Sequence, residues 1–173
     1  MKTTHIIATL TVLLFSVSSN YAQTPKQRPK AQDAPAANQP TDVTIRVTIV
    51  ALPNPKALQF SAKQDLSGKP AEALDALEGL VREKKAVSVA NLAVTTTAGG
   101  VKGKANSGKI SVSFKPVVSP DGKIADITAS VTNADHSINT YFVATNGGAK
   151  FLGSMQSPAD KTMTEFVFAR VSY

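Results

Sequence analysis

The chain of 173 residues contains no cysteine and no tryptophan, and only 6% of its residues are aromatic. Without cysteine there is no disulfide framework, no cysteine-based metal site and no thiol to carry a lipid anchor. Histidine is also scarce, since only His136 lies outside the N-terminal leader described below. A single histidine cannot build a tetrahedral structural zinc site. We therefore expect no metal and no cofactor, and a fold that depends on its hydrophobic core alone.

Long apolar runs are missing too, and none could span a bilayer as a helix. The most apolar run, "IIATLTVLLFSV" from Ile6 to Val17, follows Lys2 and precedes a polar stretch that ends at Ala22. A basic start, a short apolar centre and a small residue at the end are typical of a secretory signal peptide. We predict a leader over residues 1–22, with cleavage after Ala22 or after Ser19. The protein is then expected in the periplasm, at the outer membrane or outside the cell.

Residues 23–41, "QTPKQRPKAQDAPAANQPT", contain four prolines and no aromatic residue. Such a segment buries too little apolar surface to offset its ordering entropy, so we predict a disordered, extended tether with a net charge of +2. Residues 42–173 are long enough for one domain with a real core and carry a net charge of +4. This modest basic excess suits anionic lipid or polysaccharide. Nucleic acid is not an expected partner of an exported protein.

Two patterns place the first elements of this domain. Asp42 to Leu52 alternates apolar and polar residues, as a half-buried strand does. Pro70 to Lys85 has a proline suited to a first helical turn, leucines at helical spacing, and acids before bases in the order that the helix dipole favours. The segment around Phe60 has only a weak pattern, and no element is predicted there.

The rest of the domain shows strand patterns separated by short turns. Alternation such as "KISVSFKPVV" predicts antiparallel strands with one polar face. The predicted strands are Ala86 to Gly99, Lys109 to Val118, Lys123 to Asn133, Ile138 to Asn146, Ala149 to Met155 and Thr162 to Tyr173. The fold class is therefore α+β: a mainly antiparallel β-sheet with one packed α-helix, in a single domain.

Three glycine-containing segments predict hairpins. In "SPDG" the proline presets φ and the glycine tolerates positive φ, so Asp121 and Gly122 mark a turn. Asn146 and Gly147, between two alternating apolar runs, form a preferred type I′ dipeptide rather than a ligand-binding loop, because no helix follows them. "GKANSGKI" has the glycine and lysine spacing of a phosphate-binding loop, but Ile110 stands where serine or threonine is required. This last segment is predicted to be an exposed hairpin tip.

Few residues are candidates for chemistry. Lys102, Lys104 and Lys109 cluster around the last of these hairpins and could contact an anionic surface. His136 lies between aspartate and serine, but adjacent residues of an extended chain point to opposite faces and cannot relay a proton. The carboxylates are scattered, with no pair spaced for acid and base catalysis or for calcium. The strand phenylalanines could form a stacking platform, although the simpler interpretation places them in the core.

The order of these elements resembles the C-terminal domain of bacterial secretins, the outer-membrane ring proteins of secretion systems and pili. "ALDALEGLVREKKAVSVANLAVTTTAGG" (Ala73 to Gly100) is similar to the family's leucine-rich helix and following strand. "VSFKPVVSPDGKIADITASV" (Val112 to Val131) is similar to its "V-x-P" strand and "D-G-x-I" hairpin. Asn146, Gly147, Leu152, Gly153 and "TEFVFARV" (Thr164 to Val171) stand where the family has its last hairpin and strand.

The chain departs from the secretin pattern at three places. Asn91 replaces a proline, Ser154 replaces the second glycine of "L-G-G", and the apolar gate motif is absent because "SMQSPADKTM" is largely polar. The resemblance therefore implies the fold more than a pore.

Two functions remain open. One is a non-enzymatic exported protein of the cell envelope that, as the resemblance implies, acts through contacts with protein partners in secretion or envelope assembly, including self-association and membrane contact. The alternative is an independent periplasmic binding module for an anionic ligand or glycan. No pairing of nucleophile and base supports an enzyme.

Overall fold

The structure is a computed structural model that describes residues 42–173. The predicted leader, residues 1–22, and the predicted tether, residues 23–41, lie outside the described residues. The elements belong to one compact unit. In chain order they are β1 (Asp42–Pro53), α1 (Asn54–Lys63), α2 (Pro70–Arg82), β2 (Val87–Thr97), β3 (Gly103–Ser107), β4 (Ile110–Val118), β5 (Ile124–Asn133), β6 (His136–Thr145), β7 (Ala149–Gln156) and β8 (Met163–Ser172).

The strands are antiparallel throughout, as predicted, but they form two sheets rather than one. Sheet A has the order β2-β1-β8-β7 and sheet B the order β3-β4-β5-β6. The chain changes sheet between β2 and β3 and again between β6 and β7. Alternation along each strand is the same on either side of such a change, so the sequence pattern did not reveal it.

The two sheets pack face to face around the larger of two cores. Every second residue of β1, β4, β5 and β8 points into this space and is almost fully buried, as expected for a two-sheet sandwich. The largest of these side chains are Ile45, Ile49, Phe114 and Ile127. The remaining residues of β4 and β5 point away from the core and form the outer face of sheet B.

The helices cover the opposite face of sheet A and form a second core. Its buried members include Val50 and Leu52 of β1, Phe166 and Phe168 of β8, and Leu77 of α2. Phe60 of α1 packs edge-on against Phe166, with ring centroids 5.5 Å apart. The fold therefore has three layers: helices, sheet A and sheet B.

The helix predicted from Pro70 is confirmed, but it ends at Arg82 rather than Lys85. Its end is a Schellman motif, in which the Lys85 N–H donates to the Leu80 carbonyl and the Lys84 N–H to the Val81 carbonyl. Lys84 has a φ of 59° at the position where glycine is usual. The basic residues at the end of the predicted helix therefore terminate it instead of extending it.

The prediction of one packed helix is wrong in number, because α1 was missed. Pro55 lies in the first turn of α1, where proline is tolerated. Only Ala57 and Phe60 are buried in this ten-residue helix, which leaves too few apolar positions to produce a helical period. The segment "PNP", residues 53–55, thus ends β1 and begins α1.

One acidic side chain lies inside the sandwich. Glu165 of β8 is only 1% exposed, and Asn133 at the end of β5 donates an amide N–H to its Oε2 atom at 2.8 Å. The two residues come from different sheets, so this hydrogen bond links the layers at one end of the core.

Candidate binding face on sheet B

The outer face of sheet B is composed mainly of hydroxyl and amide side chains. The strand register sets them in rows across β4, β5 and β6: Ser113 beside Ser130 and Asn139, and Lys115 beside Thr128 and Tyr141. These residues share a face because they alternate with core residues along each strand. We call this surface, together with Lys102, Lys104 and Asp126, the sheet B face.

A shallow cavity of about 390 Å³ lies on the sheet B face. Its floor is formed by small side chains of the two central strands, including Ser113, Thr128 and Ser130. Lysines border one side of it, and Asn139 and Tyr141 of β6 border the other. The cavity is open to solvent, so it suits a segment of an extended molecule better than an enclosed small ligand.

Lys102 reaches this cavity because the connection between β2 and β3 is held against β4. The Gly100 N–H donates to the Pro116 carbonyl at 2.7 Å, and Gly100 has a φ of 85°. A Cβ atom at position 100 would lie 3.2 Å from the Cε atom of Lys115. The absence of a side chain at Gly100 therefore allows Lys115 to lie over the connection and brings it beside Lys102.

The sheet B face has an excess of positive charge. Lys102, Lys104 and Lys115 are exposed, and none of them forms an ion pair within residues 42–173. The one acid of the face, Asp126, accepts a hydrogen bond from the Tyr141 hydroxyl. Three lysines against one aspartate leave the face with a local field that attracts anions.

Tyr141 stands out from the sheet B face with 62% of its surface exposed. Its hydrogen bond to Asp126, followed by desolvation and the negative charge of that carboxylate, raises the pKa of the Tyr141 phenol. All three effects favour the protonated phenol, so Tyr141 stays neutral at physiological pH and its ring is held next to the cavity.

The end of the face beyond Asp126 is apolar. Val117 and Val143 lie on either side of Asp126 in the register, and both are partly exposed. Ile124 and Val101 are also exposed. The face thus changes along its strands from polar and basic to apolar.

Two of the three lysines predicted for anionic contact, Lys102 and Lys104, lie on or beside this face. Lys109 does not join them, because it occupies the two-residue turn between β3 and β4, where Gly108 has a φ of 57°. The prediction of an exposed hairpin at this place is confirmed. Lys115 was missed as a site residue, although the alternation in "SVSFKPV" already placed it on the polar side of its strand.

The other two predicted hairpin turns, at Asp121 and Gly122 and at Asn146 and Gly147, differ in outcome. Asp121 and Gly122 form the β4–β5 turn: the Gly122 N–H donates to the Ser119 carbonyl at 2.9 Å, and Gly122 has a φ of 67°. The hydroxyl of Ser119 and the N–H of Lys123 both donate to the Asp121 carboxylate, and these bonds lower its pKa.

The prediction of a type I′ hairpin at Asn146 and Gly147 is wrong in its geometry. A turn is present, since the Gly148 N–H donates to the Thr145 carbonyl at 3.0 Å, but only Gly147 has positive φ. The strands on either side, β6 and β7, belong to different sheets. The turn is instead attached to the end of β8, through the Gly147 N–H to the Val171 carbonyl at 2.8 Å.

The other candidates do not assemble into a site. Asp135 lies in the β5–β6 turn and His136 begins β6, both exposed. Residues 42–173 hold no group of three or more histidine, cysteine, aspartate or glutamate residues placed to bind a metal. Phe114, Phe166 and Phe168 are buried, which confirms the core interpretation for them.

Comparison of the chain with protein-family models, with curated proteins and with solved structures gives no match. Among the described residues, no helix combines the length and hydropathy needed to cross a membrane.

Proposed function

We propose that this protein is a non-enzymatic, exported binding module whose sheet B face holds an anionic glycan. The observation that carries the proposal is the arrangement of Lys102 and Lys115 beside a shallow cavity floored by hydroxyl groups, with Lys104 opposite Ser113 in the strand register. None of the three lysines forms an ion pair within the described residues. An exposed lysine that forms no internal ion pair has none to break when it binds an external anion, so binding costs little free energy.

The chemistry of the cavity suits a sugar chain. Serine and threonine hydroxyls and the Asn139 amide can each donate and accept hydrogen bonds, which matches the mixed requirements of sugar hydroxyl groups. The exposed ring of Tyr141 offers a flat apolar surface with a polar tip. Lysine ammonium groups bind carboxylate, sulfate or phosphate substituents as mobile point charges. They lack the rigid, two-pronged geometry of an arginine guanidinium.

The test uses oligogalacturonate as an anionic probe and a maltooligosaccharide of equal length as its neutral match. Calorimetry with the full chain, purified as the host processes it, should show binding of the anionic probe that weakens with added salt. Lys102→Gln/Lys115→Gln should weaken it by about tenfold, the equivalent of about 1.4 kcal/mol. Lys123→Gln/Lys161→Gln removes equal charge elsewhere and should change little. Equal binding of both probes, or equal loss in both variants, would contradict the proposal.

The second candidate is a secretin-like role at the cell envelope through protein contacts. It is supported by the order of α2, β2 and the Ser119–Gly122 hairpin, which is the order that the resemblance implies. The test is the native mass of the chain, measured by light scattering with and without liposomes. A ring-sized assembly in either condition would support this candidate, and a monomer in both would argue against it.

A further inference from the structure

A groove runs between α1 and α2, in the helical layer of the fold. Its cavity measures about 370 Å³. Phe60 of α1 and Ala76 and Leu80 of α2 form its apolar floor. We call this cavity the helix groove. Its floor is continuous with the second core.

The rim of the helix groove is basic. Lys56 and Lys63 of α1 and Lys85 after α2 border the cavity. Lys85 is paired with Glu83 at 2.7 Å, whereas no ion pair within residues 42–173 involves Lys56 or Lys63.

Two of the three acids on α2 are engaged in ion pairs of their own. Glu72 is paired with Lys69 at 3.2 Å, and Asp75 with Arg170 of β8 at 3.5 Å. Lys56 and Lys63 are therefore left to an external partner, and the groove combines an apolar floor with the positive charge of these two lysines at its rim.

We propose that the helix groove docks a short acidic peptide segment of a partner protein, with one apolar side chain as its anchor. The anchor would bury itself against Phe60 and Leu80, and carboxylates on either side would meet Lys56 and Lys63. Burial of a central apolar side chain within a charged rim is the usual distribution of energy in protein interfaces. The site is separate from the sheet B face, since the helices cover sheet A on the side away from sheet B.

A peptide fits this geometry better than a membrane surface does. Phe60 is only 8% exposed, and Ala76 and Leu80 are partly buried, so the floor presents little protruding apolar surface to a flat bilayer. Leu58 is the apolar residue of α1 that protrudes, at 74% exposed, but it lines a neighbouring depression instead of the helix groove. Membrane binding would therefore depend on Leu58, and peptide binding would not.

The test begins with a displayed library of random twelve-residue peptides, selected on the full chain as the host processes it. Enriched peptides are expected to carry several acidic residues around a leucine or an aromatic residue. Their affinity, measured by fluorescence anisotropy with synthetic peptides, should fall at least tenfold in Lys56→Glu/Lys63→Glu. It should be unchanged in Lys123→Glu/Lys161→Glu and in Leu58→Ser, with circular dichroism used to confirm that each variant is folded.

Several results would overturn the proposal. Enriched peptides without net negative charge, no saturable binding, or equal affinity for the Lys56→Glu/Lys63→Glu variant would each do so. Binding to phosphatidylglycerol vesicles that depends on Leu58, in the absence of peptide binding, would assign this side of the molecule to a membrane. Because the sheet B face is untouched by these variants, their effects are separable from oligogalacturonate binding.

Discussion

Lys84 is one of two described residues other than glycine that have a positive φ. It holds a φ of 59° at the end of α2, a conformation that costs a residue with a Cβ atom about 1 kcal/mol relative to glycine. Lys84→Gly should therefore raise the free energy of unfolding by about that amount. Lys84→Ala removes the same charge but keeps the Cβ atom, and should give no such gain. Urea denaturation of both variants measures the difference, and equal stability of the two would contradict this explanation.

Asn133 provides the hydrogen bond to the buried carboxyl of Glu165. Asn133→Ala would leave that group inside the sandwich without this partner, at a cost of about 1 to 3 kcal/mol in unfolding free energy. Asn139→Ala, on the exposed face of β6, serves as the control and should cost much less. A double-mutant cycle with Glu165→Met, which offers no oxygen acceptor, measures the coupling of the pair. Additive effects would show that the hydrogen bond between the sheets contributes nothing.

Asp126 affects the titration of Tyr141. The hydrogen bond and the charge of the carboxylate favour the neutral phenol, so the pKa of Tyr141 is raised. Asp126→Asn removes the charge, and the pKa of Tyr141 should fall toward its ordinary value. The ultraviolet absorbance of tyrosinate follows this titration, and Tyr141→Phe identifies which phenol is observed. Asp135→Asn, in the β5–β6 turn, should leave the curve unchanged, and a similar shift in both aspartate variants would refute the assignment.

At the level of single residues, the sequence predicted part of the candidate site. Lys102 and Lys104 were found because they are close together in the chain. Lys115 was not, since its nearness to Lys102 depends on the hydrogen bond from Gly100 to Pro116 and on the register of three strands. Tyr141 became a site residue only when that register placed it beside the cavity.

At the level of the secondary-structure elements, the two sheets approach each other closely where β2 of sheet A lies next to β3 of sheet B. A Cβ atom at Gly103 would lie 2.7 Å from Cγ1 of Val94 and 2.8 Å from Cβ of Thr96. Gly103→Ala should therefore force the strands apart and lower the unfolding free energy by about 1 to 3 kcal/mol.

The matched control for this variant is Gly79→Ala within α2. A Cβ atom there meets only the end of the Arg82 side chain, at 3.9 Å, so alanine should stabilise the helix by about 1 kcal/mol. Thermal unfolding of the two variants should show opposite shifts in Tm. A stabilising Gly103→Ala would contradict the close approach of β2 and β3.

The elements themselves were largely predictable, because alternation identifies strands and a three-to-four spacing identifies α2. The division into two sheets was not, since it depends on where the chain turns between β6 and β7, and those strands keep the same pattern in either sheet. α1 was not predicted, because it buries only two of its residues and so shows no helical period of apolar positions.

In the whole molecule, the layer order places the helix groove and the sheet B face on opposite sides of sheet A. The proposed function and the proposed peptide site could therefore be occupied together, as in an adaptor that links a glycan to a partner protein. We expect the two ligands to bind independently. Calorimetric titration of oligogalacturonate into the chain saturated with a selected peptide should give the affinity measured without peptide, and mutual exclusion would contradict this arrangement.

The sheet B face is the proposed glycan-binding surface. The most direct test is nuclear magnetic resonance of the isotope-labelled chain, with oligogalacturonate added stepwise. We predict that changes in amide chemical shift concentrate at Lys102, Lys115, Thr128 and Tyr141 and saturate with one common affinity. The amide chemical shifts of α1 and α2 should not change. Shifts centred on the helices, or no shift up to millimolar probe, would contradict the assignment.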